Sequence, residues 1–154
     1  MEEVTAKELN VLSLDTPFSA LEYQLKKPHK LPSKLVGTVQ HLWPLVNVGL
    51  VTTSQVAWLK HGVTCSKGDV VLRDIAHGTR KWTAGKLQLH LDAGQPMCLV
   101  SLFECLEIGA RNEYAVWQSF ADQSAAISLC KVLTPCLYAQ NGAKITTLIP
   151  LPWR

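Results

Sequence analysis

The sequence is short of the features that assign a protein to a common biochemical class. Charged residues make up 18% of its 154 residues and the formal net charge is only +3, far below the basic excess of proteins that bind nucleic acid through phosphates alone. No apolar run approaches the ~18 residues of a membrane-spanning helix, and the acidic residues near the N-terminus do not fit a secretory signal. We therefore expect an intracellular protein, nuclear or cytoplasmic, with no membrane segment.

Sequence motifs for metal, nucleotide and hydrolase chemistry are also missing. The five cysteines contain no CxxC pair, and the five histidines are never spaced as HxH, HExxH or HxxxH. The glycines form neither GxGxxG nor a phosphate loop, and there is no GxSxG elbow. The sequence therefore predicts no metal and no cofactor, and it predicts cysteines that are mostly buried, reduced thiols.

One pair of residues keeps an enzymatic alternative open. His61 and Cys65 are the closest histidine and cysteine in the chain, and a thiolate beside an imidazole is the minimum apparatus of a cysteine nucleophile. The sequence marks neither a third orienting group nor an oxyanion site. An enzyme of unknown class that uses these two residues is therefore an alternative, and our main prediction is that the chain is not an enzyme.

The strongest pattern that is present is alternation of apolar and polar residues. Between Lys86 and Asp92 every second residue is leucine, which in a strand places Leu87, Leu89 and Leu91 on one buried face. The intervening polar residues, His90 among them, are then predicted to face water. The next run, 97–107, is apolar almost throughout and predicts a central strand covered on both sides, joined to the first by a hairpin.

Turn-forming residues recur at short intervals from Leu35 onward, as between the strands of a barrel or sandwich. The strongest turn signal is Asn141-Gly142, which predicts a type I′ hairpin that brings the segment around Leu137 back against Ile145. The predicted strands are 35–42, 46–52, 69–74, 82–91, 97–107, 114–118 and 144–149. Two further segments, 54–61 and 124–133, fit either a strand or a short helical stretch.

The N-terminal quarter has a different character. Thr5 and Glu8 form a capping box, and Thr16 and Pro17 mark the start of a second short helix that ends before Pro28. We accordingly divide the chain into an N-terminal helical segment (1–27), a basic linker (28–34) and a β-rich domain (35–154). The predicted fold class is α+β, mainly β, with short N-terminal helices followed by a small antiparallel β-barrel or sandwich.

Two groups of residues are candidates for binding. Aromatic side chains near predicted strand ends can enclose a cation or stack on a planar group, although most such residues simply pack in a core or a hairpin; the candidates are Trp58, Trp82, Tyr114 and Trp117. A basic arm around the linker can contact phosphate or an acidic protein, although solvated linkers have the same composition; its lysines are Lys26, Lys27, Lys30 and Lys34.

The order of elements resembles a known family. Gly68-Asp69-Val70-Val71-Leu72, a strand around Trp82 to Leu91, and the run from Met97 to Glu107 are similar to the bromo-adjacent homology family of chromatin-associated modules. The resemblance covers residues 62–107 and implies a distorted β-barrel that mediates protein interactions and in some members reads histone tails. Leu102-Phe103-Glu104-Cys105 stands where that family has a Trp-Tyr-Arg-Pro element. The β-rich tail domains of long mobile-element reading frames are similar in general pattern.

These observations together predict a non-catalytic binding or protein-interaction module, belonging to a longer chromatin- or mobile-element-associated protein. The predicted partner is a protein. The alternative partner is nucleic acid, contacted by an accessory domain through the basic arm. The sequence makes no prediction of the oligomeric state.

Overall fold

The computed structural model of the chain describes residues 23–59, 62–75 and 82–154, with the backbone alone for residues 120–122. The predicted helices within residues 1–22 lie outside the described residues, as does His61. Gln24–Lys26, which we predicted as the end of the second helix, is instead a strand. Its three residues pair with Val56–Trp58, and Pro28 disfavours helical backbone in the residue before it.

The described part of the chain is mainly antiparallel β structure with one short helix, α1, at Val36–Leu42. The strands are β1 Gln24–Lys26, β2 His29–Lys30, β3 Thr52–Ser54, β4 Val56–Trp58, β5 Thr64–Ser66, β6 Val70–Asp74, β7 Trp82–Asp92, β8 Pro96–Ile108, β9 Tyr114–Ser128, β10 Val132–Pro135, β11 Tyr138–Asn141 and β12 Lys144–Leu148. Short 3-10 helices lie at Ser33–Leu35, Val48–Leu50, Leu129–Lys131 and Leu151–Trp153.

The strands form two antiparallel sheets. The larger sheet has the order β10-β6-β7-β8-β9-β12-β11, with β3 also paired to β7 and β2 to β3, and the smaller one has the order β1-β4-β5. Strand β8 lies in the middle of the larger sheet, as the continuous apolar run predicted. The mainly antiparallel β class is confirmed with one short helix on its N-terminal side, and the sheets are not closed into a barrel.

Two predicted strands are wrong. Residues 35–42 form a 3-10 turn and then α1, because Val36 and Val39 lie one helical turn apart and Val39 packs against Val51 and Leu91. In 46–52 a 3-10 helix capped by the side chain of Asn47 comes first, and a strand begins only at residue 52. Short apolar runs fit both periodicities, so only the packing distinguishes them.

The remaining predicted strands are confirmed, and the two ambiguous segments prove to be largely extended. Strand β4 occupies the middle of 54–61. Strand β9 runs on past the predicted end at residue 118 as far as Ser128, and only the three residues after it form a 3-10 helix. The predicted hairpin between β7 and β8 is also present: Gly94 has a φ of 104° and donates its backbone N–H to the Asp92 carboxylate, at 2.9 Å.

The turn predicted at Asn141-Gly142 joins β11 to β12. Asn141 pairs with Lys144, so the two loop residues are Gly142 and Ala143, one position later than we predicted. Gly142 has a φ of 63°, and neither Asn141 nor Ala143 has a positive φ. Positive φ at the first loop residue alone is the pattern of a type II′ turn rather than type I′.

A β-bulge interrupts the alternation in β7. Leu87 pairs with Val100 and Leu89 pairs with Leu99, so Gln88 is an extra residue with no counterpart on β8. A bulge of this kind shifts the alternation of side chains by one position, and every residue after it faces the opposite side of the sheet.

The prediction that Leu87, Leu89 and Leu91 share one face is therefore wrong. Leu87 packs with Cys98 in one core cluster, whereas Leu91 belongs to a cluster on the other side and Leu89 packs at its edge. The prediction that His90 faces water is also wrong: the bulge turns His90 into the core, where it is fully buried.

Candidate functional site

A groove lies on the larger sheet. Its volume is about 420 Å³. Its lining combines three lysines with an apolar floor of leucines and a few small or polar residues: Lys34, Leu35, Lys67, Gly68, Lys86, Leu87, Gln88, Leu89, Leu99 and Ser101. We call it the lysine groove.

The three lysines come from separate parts of the fold. Lys34 lies in the 3-10 turn before α1, Lys86 is an exposed residue of β7, and Lys67 lies in the turn between β5 and β6. Gly68 makes that turn with a φ of 93° and donates its backbone N–H to the carbonyl oxygen of Leu87, at 2.8 Å. The fold therefore brings three distant cations to one opening.

The turn that carries Lys67 is fixed on both sides. The Asp69 carboxylate accepts a hydrogen bond from the backbone N–H of Ser66 at 2.8 Å. The backbone N–H of Lys67 donates to the carbonyl oxygen of Gln55 at 2.7 Å. These bonds hold the backbone of Lys67 in place while its side chain stays exposed.

Gln88, the bulge residue, forms a polar part of the groove. Its side-chain amide donates to the hydroxyls of Ser101 and Ser124. Ser124 also lines a neighbouring hollow of about 540 Å³ next to α1. His41 and Gln123 line the same hollow. The bulge thus places an amide between the two hollows.

Only part of the predicted basic arm reaches the groove. Lys34 does, whereas Lys27 and Lys30 are exposed elsewhere, and the ammonium of Lys26 lies 5.2 Å from the ring centroid of Trp58. That separation is a cation–π contact within the protein.

Sequence reasoning missed Lys67 and Lys86 as site residues. Lys86 was predicted to face water, and the structure confirms its exposure. Lys86 lies close to Lys67 because β6 pairs with β7, which places Val70 opposite Lys86. No local sequence signal carries this information.

The structure separates the four aromatic candidates. Trp82 and Trp117 lie 6.0 Å apart between ring centroids with planes tilted by 57°, but both are core residues. Their indole N–H groups donate inside the protein, to the carbonyl oxygen of Trp153 at 2.7 Å and to the hydroxyl of Thr147 at 2.9 Å. These two rings therefore pack the core rather than border an open hollow.

The other two aromatic candidates lie nearer the surface. Tyr114 is half-buried and donates its hydroxyl to the Glu107 carboxylate at 2.7 Å. Trp58 lies on the smaller sheet and is 41% exposed. The described geometry does not gather the four rings around one opening.

Cys65, the described member of the predicted His61–Cys65 pair, lies deep in the core. Cys65 is fully buried, and burial, with smaller contributions from Asp69 and Cys98, raises the pKa of its thiol far above the ordinary value. A thiol in this state is a poor nucleophile. Among the described residues, His90 contacts Cys65 through the backbone, with Nε2 at 2.9 Å from the carbonyl oxygen of Cys65.

Within the three described stretches, no group of three or more His, Cys, Asp or Glu side chains could hold a metal ion. The same stretches contain no helix long and apolar enough to cross a membrane. All five cysteines are free; Cys65 and Cys98 are buried as predicted, whereas Cys130 is exposed.

Comparison of the chain with protein-family models, curated proteins and solved structures gives no match. The resemblance to bromo-adjacent homology modules stays a prediction from the sequence. A function has to be argued from the lysine groove itself.

Proposed function

We propose that the chain is a non-catalytic binding module whose lysine groove holds an acidic, partly apolar segment of a protein partner. The observation that carries this proposal is the composition of the lining: Lys34, Lys67 and Lys86 surround a leucine floor, and no carboxylate lies among the lining residues. An uncompensated group of cations around apolar surface is complementary to a segment in which carboxylates alternate with apolar side chains.

The two parts of the groove supply different contributions. Exposed lysine–carboxylate pairs contribute at most ~1 kcal/mol each and weaken with salt, so they guide and orient a ligand more than they hold it. Apolar contact with the floor contributes ~25 cal/mol for each Å² removed from water. Leu35 and Leu89 are only half-buried in the free protein, so both have apolar surface left to cover.

The surroundings of the groove's hydroxyl support a non-catalytic role. The lining contains no histidine, cysteine or carboxylate, and its serine, Ser101, accepts a hydrogen bond from Gln88. Ser101 would need a base within hydrogen-bonding reach to act as a nucleophile, and the Gln88 amide does not take up a proton.

Nucleic acid is the second candidate, because Lys34 belongs both to the basic arm and to the groove. A lysine ammonium binds a phosphate group as readily as it binds a carboxylate group. However, no aromatic residue lines the groove, and stacking of bases on aromatic rings is the usual second component of single-strand binding. The leucine floor favours the peptide.

The test is an NMR titration of the full chain, following backbone amide shifts. The probes are a synthetic peptide of alternating Glu and Leu, the same peptide with Gln in place of Glu, and an oligothymidylate of equal charge. We expect the Glu-Leu peptide to shift amides around the groove, with weaker shifts at higher salt, and the Gln-Leu peptide to give much smaller ones.

The matched variants are Lys67→Glu and Lys86→Glu against Lys131→Glu. Lys131 is exposed and lies outside the groove, so its substitution makes the same change in net charge. Weakened peptide binding in the first two variants only would support the proposal. An equal loss in all three, or no groove shifts with the peptide, would contradict it, and groove shifts with the oligonucleotide alone would favour the second candidate.

A further inference from the structure

Strand β11 forms an open edge of the larger sheet. It ends the strand order and pairs on one side with β12, and no other described segment pairs with its outer side. All four of its residues are exposed. An edge strand of this kind presents backbone N–H and C=O groups that can pair with another strand.

The pairing with β12 fixes which backbone groups point outward. Leu148 donates its N–H to the carbonyl oxygen of Leu137 at 3.0 Å, and the hairpin closes through Asn141 and Lys144. Residues directly opposite each other in an antiparallel pair alternate between bonded and non-bonded positions. The N–H and C=O groups of Tyr138 and Gln140 are therefore directed away from β12.

The edge is short, at four residues, but it lacks the charges, prolines and bulges with which many strands resist association. Its sequence, Tyr138-Ala139-Gln140-Asn141, has no charge and no proline, and its register with β12 has no bulge. Lysines, prolines and bulges on an edge strand are the usual protection against pairing with a second strand.

We propose that β11 pairs antiparallel with β11 of a second copy of this chain, about a twofold axis at Ala139. In this register Tyr138 of each copy lies opposite Gln140 of the other, which satisfies all the outward backbone groups of both residues with four hydrogen bonds. The register follows from the alternation of the outward groups. It places the smallest side chain of the strand at the axis, where the two backbones approach most closely.

Exposed apolar residues beside the edge support a second copy as the occupant. Leu137 and Leu148 form a cross-strand pair on the sheet and are 76% and 52% exposed. In the proposed register Leu137 lies diagonal to Ala139 of the other copy, where the small side chain leaves room for it. An uncharged strand also meets no like-charge repulsion when it pairs with itself.

This inference is independent of the lysine groove. Strands β9 and β12 lie between β8, whose residues line the groove, and β11. Lys67→Glu and Lys86→Glu should leave self-association unchanged, so failure of either proposal does not affect the other.

The first test is symmetric disulfide formation in the full chain. Ala139→Cys places two thiols at a non-hydrogen-bonded pair, where the Cα atoms lie ~4.5 Å apart, within the range of a disulfide. Thr146→Cys is the matched control, since Thr146 lies directly opposite Ala139 on β12 and is also exposed. In the proposed dimer the two control residues would be three strand spacings, or ~14 Å, apart.

Both cysteine variants are made with Cys130→Ser, because Cys130 is exposed. Cys105 and Cys136 remain and are half-buried, so the Cys130→Ser chain alone, taken through the same oxidation, is the control for cross-linking through them. Under mild oxidation we expect Ala139→Cys to form a covalent dimer and Thr146→Cys to form none.

The second test is sedimentation equilibrium of the unmodified chain and of Ala139→Lys and Thr146→Lys. The average mass of the unmodified chain should rise with concentration from that of a monomer toward that of a dimer. Ala139→Lys places two ammonium groups at the axis and should raise the dissociation constant at least ~10-fold, whereas Thr146→Lys should change it little.

Each opposite result overturns the proposal. If the unmodified chain stays monomeric up to millimolar concentration, the edge is not used by a second copy. If it dimerises but Ala139→Cys does not cross-link, or if both lysine variants weaken the dimer equally, the dimer uses a different surface.

Discussion

The imidazole Nε2 of His90 lies 2.9 Å from the backbone carbonyl oxygen of Cys65, in the core of the protein. Because a carbonyl oxygen only accepts, Nε2 carries the proton of the neutral ring and donates it. The other nitrogen, Nδ1, is then an acceptor, and it has no hydrogen-bond partner among the described atoms. Burial lowers the pKa of His90 below 6.5, against the smaller opposing effects of the Cys65 carbonyl and of Asp69.

This relationship predicts a stability that depends on pH. In the unfolded chain His90 takes up a proton as the pH falls through its ordinary pKa of 6.5, whereas in the folded protein, where burial lowers this pKa, it does so only at a lower pH. The unfolded state then binds more protons, so the free energy of unfolding should decrease as the pH drops below ~6.5. Urea unfolding between about pH 8 and about pH 5 measures this slope.

The variant His90→Leu should flatten the slope, and it should also destabilise the protein at about pH 8 because the Cys65 carbonyl loses its donor, at a cost of ~1–3 kcal/mol. His41→Gln is the control, since His41 is exposed and its substitution should leave the slope in place. A slope that survives in His90→Leu would mean that another group causes it.

The bulge at Gln88 predicts unequal costs for two neighbouring leucines. Leu87→Ala should lower the free energy of unfolding by ~2–5 kcal/mol, because Leu87 is only 1% exposed and fills one core cluster. Leu89→Ala should cost less, because Leu89 is half-buried and borders the lysine groove. Equal shifts of the urea midpoint would place both leucines on one face and contradict the bulge.

Two tryptophans also differ in burial, which predicts unequal losses of stability when each is replaced by alanine. Trp82 is 3% exposed and its indole N–H is bonded inside the protein, so Trp82→Ala should cost ~3–5 kcal/mol. Trp58→Ala should cost much less, since that ring is on the surface and its described contact is with Lys26. Thermal unfolding followed by circular dichroism compares the two variants, and a Trp82→Ala protein as stable as Trp58→Ala would show that Trp82 is not a core residue.

Replacement of glycine by alanine should have opposite effects on stability at two positions. A methyl group on Gly85 would lie 2.6 Å from the carbonyl oxygen of Ser101 and would overlap the side chain of Val100, so Gly85→Ala should separate β7 from β8 and destabilise the protein. Gly37 lies in α1 with open space around it, so Gly37→Ala should stabilise by ~0.5–1 kcal/mol. If the calorimetric unfolding midpoints of Gly85→Ala and Gly37→Ala moved in the same direction, this prediction would be wrong.

The parts of the fold that the sequence predicted well are those in which one signal dominates. Strands β6, β7 and β8 are rich in branched and aliphatic residues, and the turn before β6 and the turn between β7 and β8 carry Gly68 and Gly94 at positive φ. Such segments are determined locally, because propensity and turn chemistry agree.

The parts that the sequence did not predict depend on contacts between distant segments. Val36 and Val39 favour a strand by their intrinsic propensity, and the cluster against which Val39 packs makes the segment a helix. The bulge at Gln88 is defined by pairing with a second strand, so one strand's sequence does not reveal it. The lysine groove needs three lysines from separate elements, which only the fold brings together.

The bulge also determines where the chain tolerates changes in length. Loss of Gln88 would leave Leu87 and Leu89 paired with Val100 and Leu99 and keep His90 in the core, whereas insertion of one residue after Leu89 would turn His90 outward and move Leu91 to the other side of the sheet. The loop at residues 93–95 has no such constraint, since it joins the two strands at the surface and its residues are exposed or half-buried. Insertions among natural variants of this chain should therefore accumulate in that loop and be rare between Leu89 and Asp92.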